Sequence, residues 1–198
     1  MLSKPPSSHP EIPASRRGIG LTLTTRLRNP SQAARALYLA PVLAPHTLLS
    51  GNNAEHIAES LGQKLVDPSY FFTEQRWREH RRGLGLPEEP FPPGTGHPSG
   101  GPFAIDMFPT GTVGAVALDI RGCICAVTST GGRTNKLAGR IGDTPLMASG
   151  FWSEQWESNN PLEKMWAKLR GTTCAKAVGI SSTGDGDVSL NCCTKAND

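Results

Sequence analysis

The chain has 198 residues, 37% of them apolar, with 22 glycines, 17 prolines and a formal net charge of +3. Glycine and proline together make about a fifth of it, below the share that marks collagen-like or low-complexity chains, so a packed core is affordable over this length. No apolar run reaches the roughly 20 residues of a membrane span, and so mild a charge leaves no electrostatic footprint for nucleic acid.

Residues 1–25 open with Pro5, Pro6, Pro10 and Pro13 among serines and charges, a composition that predicts a disordered lead-in with no secretory h-region. An extended stretch from Leu21 to Leu27 ends at Asn29-Pro30. Ser31 is expected to cap a short helix running to Leu39 and stopped by Pro41. Ala44 to Ser50 reads as a short buried strand. Asn53 then opens a helix in which Ala54, Ile57, Ala58 and Leu61 share one face, and Gly62 stands where a C-cap belongs. After Tyr70 comes the basic run Arg76, Arg78, His80, Arg81, Arg82, expected to be a solvated helix face. Residues 26–82 form a first half, and 83–110, rich in proline and glycine, form a linker.

Two β-rich runs follow, Thr112–Asp119 and Cys123–Ser129, joined by Ile120-Arg121-Gly122. A three-residue connection with glycine last predicts an antiparallel hairpin whose glycine is left-handed. If Asp119 pairs with Cys123, the register places Thr112 opposite Thr130. Both runs are apolar on both faces, which predicts strands inside a covered sheet. The five cysteines, Cys123, Cys125, Cys174, Cys192 and Cys193, have neither zinc-site nor disulfide-framework spacing. They are read as free thiols in a reducing, cytoplasmic compartment. Thr183-Gly-Asp-Gly-Asp187 has a calcium-like look but lacks the closing acidic ligand of an EF-hand.

Gly111-Thr-Val-Gly-Ala-Val-Ala-Leu-Asp119, Thr128-Ser-Thr-Gly-Gly132, Asn135-Lys136, Gly139-Arg-Ile-Gly-Asp-Thr-Pro145 and Gly150-Phe-Trp152, in this order, resemble the asparaginase type 2 family. That family comprises isoaspartyl peptidases, plant-type L-asparaginases, glycosylasparaginases and threonine aspartases. Upstream, Arg28-Asn-Pro30, Pro45–Gly51 and Val66–Trp77 are similar to the later part of its α subunit. The Phe-Trp tail and Thr-Gly-Asp-Gly-Asp look most like fungal members.

The resemblance implies an α/β (α+β) fold, part of the four-layer αββα sandwich of N-terminal-nucleophile (Ntn) hydrolases, with the hairpin 112–130 at its centre and residues 111–198 as the β-subunit-like half. It implies self-cleavage between Gly111 and Thr112. The freed Thr112 would be the nucleophile, its α-amine serving as base for its own hydroxyl; such an amine titrates near 7.7–8.0 unperturbed. Thr130 would assist it. Arg140 would hold the substrate α-carboxylate, Asp143 its α-ammonium, and Thr183 and Gly184 the oxyanion. The substrate implied is an asparagine or β-aspartyl amide, as a small molecule or a peptide, with no metal or organic cofactor in the chemistry. Paired αβ units are the family's usual assembly. The family's sodium-binding loop has no counterpart here, and the chain stops soon after Thr183-Gly-Asp-Gly-Asp187. It therefore reads as shortened at both ends. Three other readings stay open: an inactive shortened relative, a threonine-aspartase-type endopeptidase, and a basic binding module built on Trp77 and Arg76–Arg82.

Overall fold

The computed structural model describes residues 1–4, 9–90 and 111–184, which mix helices and small sheets in an α+β arrangement. Of the expectations above, the linker beyond Pro90, Asp185, Asp187, Cys192 and Cys193 lie outside the described residues.

In the first half, strand β1 (Gly20–Thr22) runs parallel to β2 (Leu48–Ser50), and helices α1 (Pro30–Tyr38) and α2 (Gly51–Ser60) pack beside them. Helix α1 starts as Asn29-Pro30 dictates: the Asn29 carboxamide oxygen accepts from the Gln32 N–H at 3.2 Å, and Pro30 occupies the first turn, where its missing N–H costs nothing. The cap is therefore Asn29 and not Ser31, whose hydroxyl instead donates to Asn29. Ala33 and Leu37, four apart, are fully buried on its inner face. Helix α2 is capped at Ser50, three residues before the expected N-cap Asn53, because Gly51 takes a left-handed φ of 61° that turns the chain directly out of β2. It ends as a Schellman motif, with Gly62 at φ 82° and the Gln63 N–H reaching the Ala58 carbonyl at 3.0 Å. The strand expected over 44–50 shrinks to three residues that are not buried, since only Leu48–Ser50 finds a partner in β1.

The proline-rich opening contributes to the core. Ile12 and Ile19 are buried with Leu27, Ala33, Leu37, Tyr38, Ala44 and Ala58. Arg16, also buried, donates to the carbonyls of Leu37 and Tyr38 at the end of α1, while the Tyr38 hydroxyl donates back to the Arg16 carbonyl at 2.9 Å. Burial pushes the Tyr38 hydroxyl above its ordinary pKa and the Arg16 guanidinium below its own. Residues 9–25 are thus held by two isoleucines and a satisfied arginine, which outweigh what the prolines suggest.

Helix α3 (Glu74–Gly83), capped by Thr73, follows a short 3-10 turn at Pro68–Phe71. The basic run on it is not simply solvated. Arg76 pairs with Glu79 at 2.8 Å and donates to Thr134, Arg78 pairs with Glu74, and Arg81 pairs with Glu89 and lies over the Trp77 ring.

In the second half, β3 (Val113–Leu118) and β4 (Ile124–Ser129) form the expected hairpin. Its ladder runs from Val113↔Ser129 to Leu118↔Ile124, and the Asp119 N–H meets the Cys123 carbonyl at 3.0 Å. Gly122 is left-handed at φ 74°. The Asp119 carboxylate accepts from the N–H groups of Cys123 and Arg121, which holds its pKa below the ordinary value. A second hairpin, β5 (Phe151–Glu157) with β6 (Ala175–Ser181), encloses α4 (Pro161–Leu169) in its connection. The two hairpins face one another, and two glycines let them approach. A Cβ on Gly114 would lie 1.7 Å from the Ser181 hydroxyl, and one on Gly179 would lie 2.6 Å from Val116 and 2.5 Å from Ile124.

The expectation of a covered sheet fails for β3. All six of its residues are exposed, Val113 and Leu118 at 68%. The reason is its position. Among the described residues, β4 has β3 on one side and residues 1–3 on the other, through Leu2↔Cys125 and the Ser3 N–H to the Ile124 carbonyl at 2.8 Å, which leaves β3 at the edge. Leu162, Met165, Trp166 and Leu169 on α4 are likewise exposed. Cys123, Cys125 and Cys174 carry free thiols. Among the described residues no helix is long and apolar enough to cross a membrane.

Candidate active site

In an antiparallel hairpin the first strand starts where the second ends. Thr112 immediately precedes β3 and Thr130 immediately follows β4. The ladder that pairs Val113 with Ser129 brings these two threonines opposite each other at its mouth. Gly150 immediately precedes β5, and Thr183 lies two residues beyond the end of β6. The mouths of the two hairpins are tied to each other. The Gly150 carbonyl accepts from the Thr128 hydroxyl at 2.8 Å and from the Ser182 N–H at 3.0 Å, and the hydroxyls of Thr128 and Ser181 lie 2.7 Å apart. Four strand ends therefore converge on one side of the molecule.

There they form the rim of a cleft of about 1320 Å³. Gly111, Thr112, Thr130, Arg140, Asp143, Thr183 and Gly184 all line it, so the structure gathers every residue singled out for cleavage, catalysis and binding. Thr112 and Arg140 are half-buried, Thr130 and Thr183 exposed, and Asp143 buried. Thr130 also shapes its own loop, its hydroxyl accepting from the Gly132 N–H at 3.1 Å.

The segment 140–150 is a series of tight turns. The Leu146 N–H reaches the Asp143 carbonyl at 2.9 Å, and the Gly150 N–H reaches the Leu146 carbonyl at 2.9 Å. Gly142 makes room for the Arg140 guanidinium, which would lie 2.9 Å from a Cβ placed there. Arg140 and the buried Asp143, three residues apart, thus both line the cleft, a pair of opposite charges suited to a ligand carrying both.

Of the motif residues, Asn135 turns away from the cleft toward α3, where its amide nitrogen donates to the His80 carbonyl at 3.1 Å and its oxygen meets the His80 ring. Two wall elements were not placed at the site by the sequence. One is Arg76, read as part of a solvated basic helix face or a separate binding module. The other is the stretch Thr22–Thr25, held by Glu55 of α2. Glu55 is 1% exposed, and its carboxylate accepts from the N–H groups of Thr25 (2.5 Å) and Arg26 (2.8 Å). The one hint in the sequence was an acid on the apolar face of α2, adjoining Ala54 and Ala58.

Comparison with known proteins gives a consistent result. The family profile described as Asparaginase matches residues 15–157. The isoaspartyl peptidase of Escherichia coli is 35% identical over 168 residues, covering 83% of this chain and 42% of that protein. A putative isoaspartyl peptidase/L-asparaginase of Dictyostelium discoideum is 34% identical over 182 residues, covering 81% and 46%. A plant-type L-asparaginase of Pyrobaculum calidifontis is 41% identical over 113 residues, covering 57% and 34%. The chain spans a little under half the length of the first relatives it matches.

Proposed function

The chain belongs to the asparaginase type 2 family, and on that premise we propose that it is a self-processing threonine-nucleophile amidohydrolase of asparagine or β-aspartyl amides. The observation that carries the reading is the meeting of Gly111, Thr112, Thr130, Arg140, Asp143, Thr183 and Gly184 in one cleft at the mouths of two interlocked hairpins.

Processing comes first. The Thr112 hydroxyl adds to the Gly111 carbonyl, the amide nitrogen leaves as the new α-amine, and water cleaves the resulting ester. Before that cut the Thr112 nitrogen is an amide and cannot act as a base; afterwards it is an amine with a pKa near working pH. In turnover this amine takes the hydroxyl proton as Thr112 attacks the substrate's side-chain carbonyl. The Thr183 hydroxyl and the Gly184 N–H stabilise the oxyanion. The proton passes to the departing ammonia or amine, leaving an acyl ester on Thr112 that water hydrolyses. Arg140 receives the substrate α-carboxylate in a two-pronged hydrogen bond, Asp143 receives the α-ammonium, and Thr130 supports the nucleophile. The route uses neither a metal nor an organic cofactor. The similarity to proteins named isoaspartyl peptidase and L-asparaginase supports the substrate class.

The test is an intact-mass spectrum of the purified chain after incubation near neutral pH, beside Thr112→Ala. Two fragments meeting at Gly111/Thr112, absent from the variant, followed by release of ammonia from asparagine or of an amino acid from a β-aspartyl dipeptide, are the expected result. An uncut chain without amidase activity would overturn the proposal.

A further inference from the structure

Asn135-Lys136 belongs to the motif series, yet neither residue takes part in the reaction above. Both sit in the loop that leaves β4 with Thr130 at its head. That loop is closed on itself. The Thr130 hydroxyl accepts from the Gly132 N–H at 3.1 Å, and the Lys136 side chain folds over Gly132, where a Cβ would meet its ammonium group.

The same loop is gripped from outside by α3. Arg76, Glu79, His80 and Gly83 recur at i, i+3, i+4 and i+7, so they share one face of that helix. All four meet the loop. Arg76 donates to the Thr134 hydroxyl at 3.2 Å and to the Glu79 carboxylate at 2.8 Å, and the Thr134 hydroxyl donates to that carboxylate at 3.5 Å. The His80 ring Nδ1 meets the Asn135 side-chain oxygen, while the Asn135 amide nitrogen donates to the His80 carbonyl at 3.1 Å. Gly83 leaves room for that amide, which a Cβ would strike. Asn135 itself is left-handed at φ 56°, a conformation asparagine tolerates better than most side chains.

We propose that this face of α3 is a clamp that positions the Thr130 loop, with Thr134 and Asn135 as positioning residues for the threonine that supports the nucleophile. Helix α3 lies upstream of the Gly111/Thr112 bond and the loop downstream, so after cleavage the clamp spans two chains. Arg140 follows a separate turn, in which its N–H reaches the Leu137 carbonyl at 3.1 Å. Loosening the clamp should therefore slow the chemical step and spare substrate binding. A misplacement of about 1 Å can cost roughly a hundredfold in rate.

The proposal rests on the amidohydrolase reading for what Thr130 does, and its test separates the two. On a β-aspartyl dipeptide, kcat and KM are measured for the processed protein and for Asn135→Gly, Thr134→Val and Thr134→Ser, together with hydrogen exchange of the Gly132 amide. Glycine keeps the left-handed backbone and removes the side chain. Valine keeps the shape of threonine without its hydroxyl, which serine restores.

The expected result is a kcat about tenfold lower in Asn135→Gly and Thr134→Val, with KM within about twofold. Thr134→Ser should stay within about twofold of the unaltered protein, and Gly132 should exchange faster in the first two variants. The valine and serine pair decides the matter if Asn135→Gly fails to fold. An unchanged kcat, a change confined to KM, or equal losses with valine and serine would overturn the proposal while leaving the amidohydrolase reading intact. Absence of turnover in the unaltered protein would overturn the amidohydrolase reading. In that case, and in any variant that stays uncut, Gly132 exchange decides the clamp: faster exchange retains it and unchanged exchange overturns it.

Discussion

Gly150→Ala is expected to lower stability by about 2–3 kcal/mol and, in the protein that still folds, to cut turnover by about a hundredfold. A Cβ at this position would lie 2.5 Å from the Asp143 carbonyl oxygen and 2.6 Å from both the Cα and the carbonyl oxygen of Thr144. All three are backbone atoms, so no side chain can swing aside. Nor can the start of β5 retreat, because the Gly150 carbonyl is fixed by Thr128 and by the Ser182 N–H. The strain must then move the 143–144 segment and with it the buried Asp143 carboxylate. An error of about 1 Å in a positioning group is enough for a loss of that size. Urea unfolding and kcat/KM on a β-aspartyl dipeptide check both parts, with Gly131→Ala as the control, since a Cβ there meets nothing within 4 Å. An unchanged urea midpoint for Gly150→Ala would show that the close approach is not maintained in solution.

Glu55→Ala is expected to cost about 3 kcal/mol, and Glu55→Gln about 1. The carboxylate accepts two backbone N–H groups with almost no access to water. Its removal leaves the Thr25 and Arg26 N–H groups without that acceptor, and hydrogen bonds to a charged group are worth about 1.5–3 kcal/mol each. Glutamine keeps one carbonyl oxygen in place, hence the smaller loss. The effect should be concentrated in the chain that Glu55 holds. Leu23 there has a left-handed φ of 55°, which a non-glycine residue keeps only when its surroundings enforce it. Because Thr22–Thr25 wall the cleft, the alanine variant should show a raised KM more than a lowered kcat. Hydrogen exchange is the direct measurement: the Thr25 and Arg26 amides should exchange much faster in Glu55→Ala. Unchanged protection would mean that the buried acid is not what holds this wall.

What could be read from the chain differs between its halves for physical reasons. The hairpin register was legible because a three-residue turn ending in glycine permits few alternatives, and a register once fixed at Asp119 and Cys123 determines every pair up to Thr112. The end of α2 was legible for a similar local reason, since Gly62 is suited to the left-handed position that closes a Schellman motif. Burial was not. Val113 and Leu118 have the composition of inner-strand residues, yet no described neighbour covers that edge. Ile12 and Ile19 are inner residues surrounded by prolines and charges. The place of Arg76 and Glu55 at the cleft was not legible because their partners, Thr134 and Thr25, lie far away in sequence. The close approach of the two hairpins depends on Gly114 and Gly179, which act by lacking a side chain and so leave no hydrophobic pattern to detect.

A cut before Thr112 would change the molecularity of folding. Described residues on both sides of that bond are tied to one another: Ser3 and Met1 to β4, Arg17 to the Ser153 carbonyl at 2.7 Å, Arg76 to Thr134, and His80 to Asn135. The uncut chain forms these contacts within one molecule. Once cut, the two pieces obey mass action, and their association competes with dilution. The unfolding midpoint of the processed protein should then rise with protein concentration, while that of Thr112→Ala should not. Refolding after a complete unfolding should likewise be easier for the uncut chain, whose pieces are never more than a loop apart.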